Sequence, residues 1–194
     1  MEFFDVIKSR RSVRKYKSQP VSREDILKIL EAANWAPSAR NQQPWEFIVT
    51  SGEYIKQLGD SYRTVAEEVI RKTNTGDEDI ISNNDFVKFA ATYGGAPVVI
   101  VTLVKKSDND HYQKLDLISA SAAMENLILA ASDLGLGTCW MLAPLWDEAI
   151  FRGILDVPND KDIVGITPLG YPDMTPKPIP RLDPKLENKV RWLD

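Results

Sequence analysis

The run Val98-Val99-Ile100-Val101-Thr102-Leu103-Val104 is continuous, largely β-branched and without alternation. A strand with one wet face alternates polar and apolar side chains, so this run predicts a strand buried on both faces, in a sheet covered on both sides. The segment Tyr112 to Leu134 is long enough to supply one cover, with Leu117, Ser121, Met124, Ile128, Ala131 and Leu134 along one helical face and other apolar residues beside them. Apolar nearly all round and rich in Ala and Ser, it suits a central helix packed against several neighbours. Gly135 ends it.

Around these two segments the chain alternates helical and extended patterns. Phe3, Phe4, Val6 and Ile7 predict a short helix that delivers the chain to Arg10. Ser22 precedes an acidic turn, Glu24 and Asp25, and Ile26, Ile29, Leu30 and Ala33 then recur at helical spacing. That helix is predicted from Ser22 to Ala36, because Pro37 disfavours helix in the residue before it. Strands are expected at Glu46 to Thr50 and Asp162 to Leu169, a strand and its exit at Gly137 to Pro144, and helices at Glu53 to Val69 and Asp147 to Leu155. Thr73 to Asp79 has the composition of an exposed loop, and the stretch Arg63 to Gly95 fits a lid, a partner-facing excursion or plain surface disorder. Beyond Gly170, Pro172, Pro176, Pro178, Pro180 and Pro184 predict an extended arm, with Trp192 as an apolar anchor. The expected organisation is one domain over residues 1–170 with an arm over 171–194.

Charge and residue types narrow the chemistry. The net charge is -4, so the broad basic field of a non-specific nucleic-acid binder is missing. Cys139 is the single cysteine, which rules out an intramolecular disulfide and suits a reducing compartment. No signal-peptide pattern opens the sequence, and the strand-like run at 98–104 is far too short to cross a bilayer, so a cytoplasmic protein without membrane partners is expected. A zinc site needs several Cys or His ligands, and the chain has one of each. His111 lies in the polar stretch Ser107 to Lys114, expected to be a solvated loop, so no Ser-His-Asp or Cys-His site is read there. No metal site and no catalytic side chain emerges, and the chemistry is expected to belong to a cofactor.

One stretch points to the ligand such a cofactor brings. Arg10-Arg11-Ser12-Val13-Arg14-Lys15-Tyr16 gathers cations and a hydroxyl within reach of one phosphate. By itself a basic run is also compatible with a solvated face. On an acidic protein, a local cluster favours a small anion over a polyanion.

Several motifs then occur in order along nearly the whole chain. They are Arg10-Arg11-Ser12-Val13-Arg14, Ala36-Pro37-Ser38-Ala39-Arg40-Asn41-Gln42-Gln43-Pro44-Trp45-Glu46-Phe47, Ala96-Pro97 before the long strand, Leu134-Gly135-Leu136-Gly137-Thr138-Cys139-Trp140, and Leu169-Gly170-Tyr171-Pro172 before a basic arm. As an ordered set they resemble the FMN-dependent nitroreductase family. The resemblance implies an α+β fold with a central, mostly antiparallel sheet surrounded by helices. It also implies a homodimer that exchanges C-terminal arms and builds two FMN sites at the subunit interface.

The implied roles map residue by residue. Arg10, Arg11, Ser12 and Arg14 would serve the phosphate, the ribityl chain and the pyrimidine edge of the flavin, with Arg14 near N1 and O2. Lys177 and Arg181 would close over the phosphate from the arm. Pro37, Ser38, Asn41 and Gln43 would reach the flavin from the other subunit. Trp140, Met141, Leu142 and Ala143 would pack beneath the ring and offer a backbone N–H to N5, with Asn83, Asn84 and Lys88 as candidates for its polar edge. The implied activity is a two-step exchange in which NADH or NADPH gives hydride to N5 and a nitroaromatic, a quinone or a related acceptor then takes it. Same-fold alternatives are reductive dehalogenation, azoline oxidation, flavin destruction, or an FMN-binding regulatory protein without catalysis.

Overall fold

The structure is a computed structural model that describes residues 2–73 and 77–193. Four antiparallel strands form the sheet: β1 (Trp45–Thr50), β2 (Val98–Lys105), β3 (Gly137–Thr138) and β4 (Lys161–Gly170), in the order β1-β2-β4-β3. Seven α-helices are described: α1 (Phe3–Ser9), α2 (Arg23–Asn34), α3 (Glu53–Thr73), α4 (Glu78–Asn83), α5 (Asp85–Thr92), α6 (Asp110–Asp133) and α7 (Glu148–Leu155). The α+β architecture with an antiparallel sheet between helices is the one expected.

β2 explains the layering. Val98, Ile100 and Val104 pack into a core with Met124 and Leu127 of α6 and Ile29 of α2. Val99, Val101 and Leu103 turn the other way, into a core with Leu58 and Tyr62 of α3 and Phe89 of α5. Because side chains alternate along a strand, one uninterrupted apolar run feeds both cores. Thr102 is buried too, so β2 has no solvated face.

The helix ends follow local chemistry. Ser22 Oγ accepts from Asp25 N (3.0 Å) to cap α2. The helix stops at Asn34, two residues before the expected end, and the Trp35 N–H still reaches back to Glu31 and Ala32. Asn109 Oδ1 caps α6 through His111 N and Tyr112 N, so the helix begins at Asp110 and the exposed His111 sits in its first turn instead of in a loop. At the far end, Gly135 has φ +75°, Leu136 N donates to Ala131 O (2.8 Å) and Gly135 N to Ser132 O (3.1 Å). This paired closure turns the chain sharply into β3. α6 is long and apolar enough to cross a membrane, yet here it lies between the sheet and α2.

Two expectations need correction. The described residues of Arg63 to Gly95 are mostly helical and not surface disorder: α3 runs on to Thr73, and α4 and α5 follow, capped by Asp77 and Asn84. Residues 74–76 of the expected polar loop lie outside the described residues. The strand within Gly137 to Pro144, expected there together with its exit, is only Gly137–Thr138, followed by a single bridge between Met141 and Ile166 and a 3-10 turn at Ala143–Asp147.

The basic run is threaded through the fold as an extended segment. Val13 N donates to Thr138 O (2.8 Å) and Tyr16 N to Gly94 O (2.9 Å). Residues 171–193 contain no helix or strand. The start of that tail runs beside the basic segment: Lys17 N donates to Tyr171 O (2.9 Å), Asp173 N to Lys15 O (2.9 Å), and Lys15 pairs with Asp173 (2.9 Å).

Candidate functional site

α1 ends at Ser9, with the Arg10 N–H still bonded back to Val6 O, and the chain beyond is extended because Val13 bonds to β3 and Tyr16 to the Gly94 turn. The Arg14 N–H donates to the sulfur of Met174 (3.3 Å), which brings the tail back across the basic run. Between α1, the run and the tail lies a cleft of about 560 Å³ lined by Lys8, Arg10, Arg11, Ser12, Arg14, Lys177 and Arg181, with Ile7, Pro176 and Ile179 as apolar flanks. Residues 167 positions apart in sequence, Arg14 and Arg181, thus share one wall, although neither strand nor helix joins them.

Six cations line this cleft, and among the described residues no carboxylate lies within ion-pair range of any of them. Such a cluster repels itself unless an anion fills it. Arg11 differs from the others: its Nη1 donates to Lys8 O (2.6 Å) and Arg10 O (2.8 Å), capping the C-terminal end of α1. Ser12 stands beside the Cys139 thiol, which is buried. Burial raises the pKa of the Cys139 thiol, while Arg14, Ser12 and Arg10 pull the other way.

Arg14 also lines a second cleft of about 330 Å³, whose walls are Tyr62, Phe86, Phe89 and the segment Cys139 to Ala143. Here the floor is irregular backbone, because after Thr138 the chain leaves the ladder and rejoins it only at Met141. Met141 N donates to Ile166 O (2.9 Å) and Ile166 N to Met141 O (3.0 Å). The Met141 N–H is therefore engaged within the sheet, which leaves Leu142 and Ala143 to present backbone donors from this segment. Trp140 is half-exposed, and its indole Nε1 lies 2.5 Å from where a Cβ on Gly165 would stand, so Gly165 makes room for it.

A third cleft, of about 810 Å³, adjoins through Arg14, Phe86 and Phe89, and is bounded by Lys88, Tyr16 and Met174. Lys88 Nζ donates to Asn83 Oδ1 (3.3 Å). Asn84 Oδ1 accepts from Phe86 N (2.9 Å) as the cap of α5, and Asn83 Nδ2 donates to Asp79 O (3.0 Å). Of these three residues, only Lys88 lines the cleft.

The loop of Pro37, Ser38, Asn41 and Gln43 sits elsewhere. Ser38 Oγ accepts from Gln43 N (3.0 Å), and Gln43 Nε2 donates to Asn41 Oδ1 (2.9 Å). Ala39 N donates to Ser119 Oγ (3.2 Å), and the Arg40 guanidinium lies 4.5 Å from the centre of the Tyr112 ring. Ser132, near the other end of α6, borders Arg10 and Arg11. Ser119 and Ser132 are separated by roughly 20 Å along the helix axis. One chain therefore unites the basic run, the tail and the Trp140 to Ala143 segment, and keeps the Pro37 to Gln43 loop apart from them. Asn41 and Gln43 both carry positive φ (55° and 46°) and are exposed.

Tyr62, Phe86 and Phe89 were not anticipated as site residues. Phe86 and Phe89 meet the Tyr62 ring edge-on, at 5.8 Å and 6.4 Å. The available signal was Asn84 before Phe86, Val87, Phe89 and Ala90, a cap followed by apolar helical spacing.

Residues 7–171 match the nitroreductase family. The chain belongs to that family. Membership makes it an oxidoreductase with the nitroreductase-like fold. A candidate NAD(P)H nitroreductase of Bacillus subtilis is 30% identical over 174 residues, 89% of this chain and 86% of the relative. An iodotyrosine deiodinase of Thermotoga neapolitana is 29% identical over 182 residues, 90% of each chain. Among solved structures, an FMN-dependent nitroreductase of Clostridium difficile is 28% identical, with a TM-score of 0.68 over 98% of this chain and 99% of that one.

Proposed function

We propose that this chain is an FMN-dependent oxidoreductase that uses NADH or NADPH to reduce nitroaromatics, quinones or related acceptors. The observation that carries this reading is the meeting at Arg14 of a cationic cleft without carboxylates and an aromatic-walled cleft with a backbone floor. The donor set fits FMN: a phosphate of about two negative charges suits Arg10, Ser12, Lys177 and Arg181, with Arg11 contributing less because it caps α1. Arg14 would hold the pyrimidine edge, and Trp140, Met141, Leu142 and Ala143 would face the ring. FMN, when bound, takes hydride from a nicotinamide nucleotide and delivers two electrons to an acceptor. The protein's part is to orient both partners, keep a fixed positive charge at Arg14 and limit bulk water.

The site is completed by a second subunit in this reading. Tyr112 and Ile118 of α6 and Leu134 just after it are exposed, as are Phe3 and Phe4 of α1 and Trp35 after α2. A homodimer would cover such apolar surface and carry the Asn41 and Gln43 amides to the partner's flavin. Beyond the root at Tyr171 to Met174, Ile179 (85% exposed), Leu182 (100%) and Trp192 (81%) are available to dock on the partner as an exchanged arm. Residues 1–170 would then be the FMN-binding domain and 171–194 its arm, in a cytoplasmic protein.

Anaerobic addition of NADH or NADPH to the purified yellow protein should bleach the flavin band, and a nitroaromatic or quinone should restore it. A flavin that neither nucleotide bleaches would mark a binding protein without this catalysis. Likeness to an iodotyrosine deiodinase supports reductive dehalogenation as a second reading, and an iodinated phenol in the acceptor panel tests it.

A further inference from the structure

The C-terminal tail is tied to the body only at its root. Lys17 N donates to Tyr171 O, Asp173 N to Lys15 O, and Lys15 pairs with Asp173. The last tie is the Arg14 N–H on the sulfur of Met174 (3.3 Å). Among the described residues, no hydrogen bond or ion pair joins 175–193 to the rest of the chain. Ile179 and Leu182 are exposed, so packing holds this stretch weakly as well. Lys177 and Arg181 line the cationic cleft from it, and their placement there starts from the point where the Met174 sulfur is held.

A thioether is the one side-chain acceptor that mild oxidants convert reversibly into a polar group. Met174 is exposed, whereas Met124 and Met141 are buried. A nitrogen 3.3 Å from the sulfur leaves no room for an oxygen atom between them. With the oxygen turned away instead, the sulfur has given up one lone pair and accepts the Arg14 N–H less well. We propose that Met174 is a peroxide-sensitive modification site whose oxidation unties the tail from Arg14 and loosens Lys177 and Arg181. In the step, a sulfur lone pair attacks one oxygen of hydrogen peroxide and the O–O bond breaks. That oxygen stays on sulfur, the other leaves as water with both protons, and the two electrons lost by sulfur reduce the peroxide. A weakened hold on FMN follows only on the flavin reading of the first cleft; release of Arg14 does not depend on it.

Hydrogen peroxide treatment of the FMN-loaded protein, followed by peptide mass mapping, should add one oxygen at Met174 while Met124 and Met141 stay unmodified. In the oxidised protein, hydrogen exchange of the Arg14 amide should quicken severalfold. FMN affinity should fall by about tenfold, as loosened charge-assisted phosphate contacts imply. Methionine sulfoxide reductase should restore both. Met174→Gln, polar like the sulfoxide, should show the lower affinity without peroxide. Met174→Leu should keep its FMN affinity through peroxide treatment, which separates this effect from any oxidation of Cys139. Earlier oxidation of Met124 or Met141, an Arg14 amide indifferent to Met174 oxidation, or an undiminished peroxide effect in Met174→Leu would overturn the proposal. Quickened Arg14 exchange with unchanged FMN affinity would keep the modification site and remove Lys177 and Arg181 from the flavin site. If the purified protein takes up no FMN, the cofactor reading fails, and mass mapping with Arg14 exchange still decides the role of Met174.

Discussion

Gly94 passes so close to Arg14 that a Cβ added to it would lie 2.2 Å from the Arg14 carbonyl oxygen. Its φ is +68°, and its own carbonyl accepts from Tyr16 N, so the turn before β2 both needs glycine and fixes the basic run. Gly94→Ala is predicted to destabilise the fold by at least about 2 kcal/mol and to displace Arg14. Denaturant unfolding reads the first effect, and FMN affinity at a temperature where the variant is still folded reads the second. Wild-type stability in this variant would show that the approach is looser than described.

The cations of the first cleft are predicted to be unequal. Arg10→Gln should weaken FMN binding by tenfold or more, by analogy with charge-assisted phosphate contacts worth about 1.5–3 kcal/mol. Arg11→Gln should weaken it less and cost about 1 kcal/mol of stability, because Arg11 Nη1 holds the carbonyls of Lys8 and Arg10. Fluorescence titration with FMN, paired with thermal unfolding, separates the two. Equal losses of affinity from both variants would contradict the assigned difference.

Asn41→Ala and Gln43→Ala are predicted to weaken FMN binding as strongly as Arg14→Gln, although the loop lies far from Arg14 within one chain. Their side chains are exposed and bond to each other, so unfolding free energy should change by less than about 1 kcal/mol. Full FMN affinity in both variants would remove this loop from the site.

Alkaline pH should destabilise the protein through its buried phenols. Burial drives the pKa values of Tyr16, Tyr62 and Tyr93 far upward, with Cys139 adding to the shift at Tyr16 and Tyr62. Below about pH 10, the ordinary phenol value, these groups are protonated in both folded and unfolded chains and the fold has its full stability. Above it the unfolded chain releases protons that the folded chain retains, so stability falls as pH rises. A tyrosinate absorbance titration followed in parallel with circular dichroism should show three of the six tyrosines ionising only as the fold melts. Ionisation of all six with the fold intact would contradict the burial assigned to them.

The sequence was most informative where one physical demand acts on many residues at once. β2 was legible because double burial leaves no place for alternation, and α2 because Ser22 caps a periodic helix. The basic run and Arg181 could be paired only through resemblance, since nothing in their spacing shows that Met174 folds the tail back onto Arg14. α5 was obscured by the polar residues before it, and with it Phe86, Phe89 and the third cleft. The short β3 was overestimated because Cys139 and Trp140 are apolar like strand residues, while the path they take is set by the room at Gly165.

FMN titration of the wild-type protein, with the mass of the bound species measured alongside, tests the shared flavin site most directly. One FMN per 21.9 kDa chain is expected, bound to a species of twice that mass. A colourless protein that rejects added FMN, or tight FMN binding to a single chain, would contradict it.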